Sequence, residues 1–134
     1  AAALDARGGL AAATSTGGYL GKLPGRVGDS AILGAGFFAA EMGAASATGL
    51  GEAIVKLGMC REAVMTLGGA RPAVAAARAI ADLGMIPGGE GGIVLVDRRG
   101  RVGYAHNAEA MEVAIFQASG GLRHFAVKPQ TRSR

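Results

Sequence analysis

Arg26 and Asp29 stand three residues apart on a glycine-rich stretch, TSTGGYLGKLPGRVGDS, that spans positions 14–30. A guanidinium offers parallel N–H donors that match a carboxylate, and an aspartate pairs with an ammonium. Together the two suit a zwitterionic ligand. Gly25 and Gly28 let the backbone approach such a ligand closely. An ion pair on a loop surface explains the same two residues, and the pair alone leaves both readings open. The stretch also carries three consecutive hydroxyls, Thr14, Ser15 and Thr16. It has no apolar stripe to pack, so it reads as a site-forming loop.

A second candidate is SATGLGE at 46–52. Thr48 precedes a helical pattern, and the first N–H groups of a helix lack intrahelical partners. Such a terminus attracts anions and can hold a developing oxyanion, where fixed donors contribute strongly to catalysis. The alternative is that Thr48 simply caps the helix. From this stretch alone the cap is the favoured reading.

Other reactive residues are read as structural. Cys60 falls on the apolar face of a helix and is expected to be a small buried hydrophobe. It is the single cysteine, so no intrachain disulfide forms, which is compatible with a reducing, cytoplasmic setting. His106 and His124 are isolated from each other and from carboxylate clusters, and are expected at the surface or a strand edge. No metal-ligand spacing occurs, so neither metal nor cofactor is expected. The five methionines are expected to fill the core. GAGFFA at 34–39 matches a loose dinucleotide pattern, but no amphipathic helix opens there and no acidic residue follows a suitable strand. GKL at 21–23 lacks the hydroxyl and the spacing of a phosphate loop.

These residues need elements to hold them. The 134-residue chain is one domain or part of one, with 24 glycines, 4% aromatics, no tryptophan and a net charge of +4. The small side chains favour closely packed layers. Three basic residues, Lys128, Arg132 and Arg134, fall in the last seven positions, so 128–134 reads as a flexible basic tail and not as a nucleic-acid face. No apolar run approaches the ~20 residues that span a bilayer, and no secretory signal pattern occurs.

Segments 1–4 and 10–15 flank a polar turn and predict a β-hairpin that delivers Thr14 and Thr16 to one side of its second arm. Strands are predicted at 31–38 and 43–48. A helix is predicted from 52 to about 67, with apolar positions 53, 57, 60, 64 and 67 on one face and a Glu52–Lys56 pair. Pro72 opens a second helix that ends near Leu83. Segments 92–97 and 101–106 form a hairpin through an arginine-rich turn. Segment 110–116 is ambiguous between strand and helix, and 122–127 is a last strand. Antiparallel hairpins around a helix pair predict an α+β fold with helices layered on a sheet.

TSTGG at 14–18, GRVGDS at 25–30, GAG at 34–36 and ATGLGE at 47–52 occur in an order and spacing that resemble the β subunit of plant-type asparaginases, also called isoaspartyl peptidases. These are N-terminal-nucleophile hydrolases of the asparaginase type 2 family, and glycosylasparaginases are close relatives. The likeness extends through both helices, GGIVLVD and HNAEAM at 106–111, nearly the whole chain.

The resemblance implies a precursor that cleaves itself before a threonine. That threonine attacks the side-chain carbonyl of an asparaginyl or β-aspartyl substrate, with its own amino group as base. It implies that Thr16 lies beside the nucleophile, and that Arg26 grips the substrate's α-carboxylate while Asp29 binds its ammonium. Thr48 with the N–H of Gly49 would form the oxyanion hole, and the backbone of Gly51 would help hold the substrate. It implies a four-layer αββα sandwich in which residues 1–134 supply the β-subunit half, an α subunit from the same precursor as partner, and an (αβ)2 assembly without nucleic acid or membrane. The family's sodium site belongs to the other subunit.

Three departures accompany the resemblance. Family β subunits open Thr-Val-Gly-Ala-Val-Ala-Leu-Asp, and Ala1–Asp5 match only the last five positions. The expectation is an incomplete β subunit whose nucleophile stands upstream of Ala1. The alternatives are a glycosylasparaginase-type amidase or a non-catalytic homologue that binds an aspartate-like ligand. Leu50 replaces a customary threonine, and Gly21 an asparagine.

Overall fold

A computed structural model describes residues 1–129, so all but the first two residues of the tail predicted at 128–134 lie outside the described residues. The elements are antiparallel strands around three helices. The hairpin β1 (Ala2–Leu4) and β2 (Leu10–Ala12) comes first, followed by the loop and a 3-10 turn at Asp29–Ala31. Then come β3 (Phe37–Ala40), β4 (Gly43–Gly49), α1 (Gly51–Leu57), α2 (Met59–Thr66) and α3 (Pro72–Leu83). Strands β5 (Gly91–Asp97), β6 (Val102–His106), β7 (Met111–Gln117) and β8 (Gly121–Val127) complete the chain.

Strands β3-β4-β5-β6 form the central sheet in that order, and every neighbour runs antiparallel. Helices α2 and α3 cover one face. The period of two sorts each strand accordingly. Ala45 and Ala47 of β4, Ile93 and Leu95 of β5 and Ala105 of β6 join Val64, Ile80 and Leu83 in the buried core. Many of these side chains are alanine, and the layers approach closely. A Cβ at Gly103 would run into the backbone of Pro72 at the start of α3. The opposite face carries Ser46, Val94, Val96, Tyr104 and His106. There β1–β2 lies over β4 and β5. The β7–β8 hairpin packs at the β6 side, where Phe125 meets Tyr104 edge-on at 5.4 Å.

Four expectations change. The strand predicted at 31–38 is mostly turn, because Gly34 takes φ +90° and the strand begins only at Phe37. The helix predicted from 52 to 67 is two helices. Gly58 adopts a left-handed conformation and its N–H closes the first on Ile54 and Val55. Ala53, Cys60, Val64 and Leu67 still face the core. Segment 110–116 resolves as strand β7. Of the methionines, Met59 is buried but Met65 and Met85 are exposed. No helix among the described residues is long and apolar enough to cross a membrane.

Candidate active site

The central sheet, the first hairpin and the glycine-rich loop meet at one end of β4. Thr48 lies on the same side of β4 as Ser46, and the Ser46 hydroxyl donates to the Ala13 carbonyl at 3.2 Å. This bond ties the end of β2 to the sheet. The chain leaves β2 extended, and the Thr14 hydroxyl donates to Ser30 O at 2.8 Å, drawing the 3-10 turn inward. The loop therefore returns over the end of the sheet. It leaves an open cleft of about 690 Å³ whose walls include Thr16, Lys22, Arg26, Asp29, Thr48 and Gly49. A recess of the same cleft reaches Ala1 and Ser46.

Five of the six predicted site residues thus converge. The sixth, Gly51, sits behind them for a steric reason. A Cβ there would stand 2.9 Å from Arg26 Nη2 and 2.9 Å from Asp29 Oδ1, closer than side-chain carbons pack. Gly36 serves the same turn from below. Its N–H donates to Asp29 O at 3.1 Å, and a Cβ would stand 2.6 Å from that oxygen. The glycines of the rejected dinucleotide pattern are thereby accounted for as turn packing.

Asp29 is 6% exposed, and its Oδ2 has no hydrogen-bond partner among the described residues. Burial pushes its carboxyl above the usual carboxylate range, against the opposing pull of backbone N–H groups and of the Arg26 charge. Arg26 is held from the other side. Its Nε and Nη2 donate to Glu52 Oε1 and Oε2 at 2.7 and 2.8 Å, and the Tyr19 ring lies 6.0 Å from its guanidinium carbon. This pairing raises the Arg26 pKa and holds Glu52 down at about 2. Helical spacing alone would pair Glu52 with Lys56. The partner twenty-six residues upstream leaves no local signal. Two parallel bonds to Glu52 use one edge of the guanidinium and leave the Nη1 hydrogens for a second carboxylate.

The capping reading of Thr48 is not what forms. Leu50 is the N-cap of α1, and no side chain bonds to that terminus. Gly49 takes φ +138° and lies so close to Glu90 and Gly91 that no side chain fits. Leu50 packs against the core and approaches Gly88, so its departure from threonine substitutes apolar contact for a hydroxyl. Gly21 takes φ +74°, a conformation that glycine and asparagine share most readily. Its replacement of asparagine leaves the backbone unstrained.

The remaining candidates stay out of the cleft. Cys60 is fully buried, and burial with the nearby Asp29 charge pushes its thiol up to about 12. His106 ends the edge strand β6 but is fully buried and not at the surface, with Nε2 at 2.8 Å from Val127 O. It fastens β8 to the sheet. His124 is exposed and pairs with Glu112 at 3.1 Å. Asn107, which sequence reasoning passed over, bridges Gly91 N and Gly89 O and shapes the turn behind Gly49. No cluster of potential metal ligands occurs among the described residues.

A family model described as asparaginase matches residues 1–125. The isoaspartyl peptidase of Escherichia coli strain K12 is 44% identical over 114 residues, which is 83% of this chain and 36% of that protein. The plant-type L-asparaginase of Pyrococcus abyssi is 42% identical over 110 residues, 81% of this chain and 36% of that protein. The plant-type L-asparaginase of Pyrobaculum calidifontis is 46% identical over 115 residues, 83% of this chain and 38% of that protein. The chain spans little more than a third of the length of these relatives.

Proposed function

The chain belongs to the asparaginase family, and from that premise we propose that the complete protein hydrolyses L-asparagine and β-aspartyl dipeptides, releasing L-aspartate. The observation that carries this reading is the convergence of Thr16, Arg26, Asp29, Thr48 and Gly49 on one cleft. Arg26 takes the substrate's α-carboxylate on the edge that Glu52 leaves free. Asp29 takes the α-ammonium on its carboxylate. The side-chain carbonyl then lies toward Thr48 and Gly49, whose donors stabilise the oxyanion. The backbone of Gly51 supports the substrate from behind.

The nucleophile is a threonine three positions before Ala1. The register of the first hairpin supports its placement. Ala2 faces Ala12, Ala3 faces Ala11 and Leu4 faces Leu10, so each step upstream on β1 is one step downstream on β2. Continued, the ladder sets that threonine opposite Thr16, with Cα atoms about 5 Å apart. Its α-amino group removes the hydroxyl proton as the oxygen attacks the amide carbon. The C–N bond breaks, ammonia or an amine leaves with a proton, and water cleaves the resulting ester. A self-cleaving precursor supplies the free amino group.

The same reading makes residues 1–134 the β-subunit half of one four-layer αββα domain, paired with an α subunit in an (αβ)2 assembly. On the face away from the helices, the two hairpins leave an apolar groove lined by Val94, Val96, Tyr104, Val113 and Ile115. That groove suits further strands of a second sheet.

N-terminal sequencing of the purified protein and a side-by-side assay on asparagine, a β-aspartyl dipeptide and glycosylated asparagine test the proposal. Turnover of the first two, with threonine heading the subunit, is expected. Absence of both overturns it, and turnover of glycosylated asparagine alone transfers the site to that substrate.

A further inference from the structure

We propose that Lys22 binds the C-terminal carboxylate of the departing amino acid and so favours β-aspartyl dipeptides over asparagine in this cleft, an inference that rests on the function just proposed. Lys22 lines the cleft together with Thr16, Arg26, Asp29 and Thr48. Its ammonium is anchored. Nζ donates to Gly17 O at 2.8 Å and packs against Gly18 so tightly that a Cβ there would collide with it. Gly18, at φ +82°, in turn donates its N–H to Thr16 Oγ1 at 3.0 Å. The cation is therefore tied to the residues that directly follow Thr16, beside the place where the scissile amide lies.

The charges of the cleft then match one substrate class better than the other. Arg26 is met by Glu52 and by the α-carboxylate, and Asp29 by the α-ammonium. Among the described residues no carboxylate stands within 4.0 Å of Lys22 Nζ. An ammonium has three donors, and the Gly17 carbonyl takes one. Asparagine brings one carboxylate and one ammonium and releases ammonia, so it offers Lys22 nothing. A β-aspartyl dipeptide brings a second carboxylate, separated from the leaving nitrogen by a single carbon. Its leaving group departs on the side where Lys22 is held.

The test compares a β-aspartyl dipeptide with its C-terminal amide on the complete protein, with wild type, Lys22→Met and Lys22→Arg. A charge-assisted contact of this kind is worth about tenfold in kcat/KM. Lys22→Met is expected to lower the ratio of acid to amide dipeptide by about tenfold, mainly through KM, and Lys22→Arg to restore most of it. A ratio unchanged in Lys22→Met, even with both substrates slowed, overturns the assignment and makes Lys22 a staple of the loop. Asparagine turnover by wild type keeps the two readings apart. Its presence with an unchanged ratio sinks the Lys22 proposal alone, whereas wild type inactive on all three substrates sinks the function beneath it.

Discussion

Asp29 and Asp97 are buried to nearly the same degree, at 6% and 3% exposure, and lie in opposite electrostatic settings. Asp97 closes the turn between β5 and β6. Its Oδ1 accepts the N–H groups of Arg99 and Arg101, and its Oδ2 accepts Arg101 Nε at 2.6 Å. Burial by itself would raise its pKa, but those three donors outweigh it and hold the carboxyl below the usual range. Asp29 keeps one oxygen without a partner, and there burial prevails. A carboxylate that serves the fold spends its acceptors inside the fold. Asp29, which we propose serves a ligand, leaves an acceptor unmet, at a cost to the fold.

The contrast can be broken or sharpened by substitution in the complete protein. The largest expected effect is from Arg26→Ala. Loss of its charge-assisted bonds raises KM for substrates with a free α-carboxylate about a hundredfold, while thermal unfolding moves little because the Arg26–Glu52 pair is partly solvated. A large drop in stability with KM unchanged would remove Arg26 from the site. Asp97→Ala should show the reverse, a loss of about 2 kcal/mol in urea unfolding with unchanged steady-state kinetics.

Asp29→Asn should raise KM about tenfold without destabilising the fold. The sign follows from linkage. A carboxyl whose folded pKa lies above its unfolded value binds more protons in the folded state between the two, so stability falls as pH rises through that window. The stability difference between wild type and Asp29→Asn, read from urea midpoints across the acid range, should therefore fall as pH rises through that window. For Asp97 the slope is opposite, since its depressed pKa contributes stability that is lost as pH falls through it. The same titration governs binding. KM should climb as pH drops through the elevated pKa of Asp29, because a protonated carboxyl cannot pair with an ammonium. Glu52, held at about 2, contributes no step there. The smallest effect is expected from Glu52→Gln, about threefold in KM with kcat retained, since it loosens Arg26 without removing it. A kcat loss larger than the KM change would place Glu52 nearer the chemistry.

Much of this was legible in one dimension. Turn residues, the period of two and Pro72 located six of the eight strands and the third helix, and caught a seventh strand, β3, only by its first two residues. The eighth, β7, pairs across the surface with β8 and carries too few β-branched residues to separate strand from helix by pattern. Gly58 shows a different limit. Its position within a continuous apolar stripe hides that its backbone breaks the helix, because periodicity reports side chains and not φ. That a zwitterion could bind at Arg26 and Asp29 came from charge and spacing, which left a surface ion pair equally open. That Glu52 holds Arg26 did not, since helical spacing pointed to Lys56.

What the order of residues determined by itself is local: which segments extend or coil, which glycines must turn, and the family to which the motifs belong. The tertiary structure alone decided what meets across long intervals. Thr14 fastens to Ser30, Ser46 to Ala13 and Arg26 to Glu52, and these bonds bring the loop over the end of β4. Local steric preference acts along the chain and can be read there. Burial is a property of what packs from elsewhere, and only burial separates Asp29, whose Oδ2 is enclosed without a partner, from a solvated loop carboxylate.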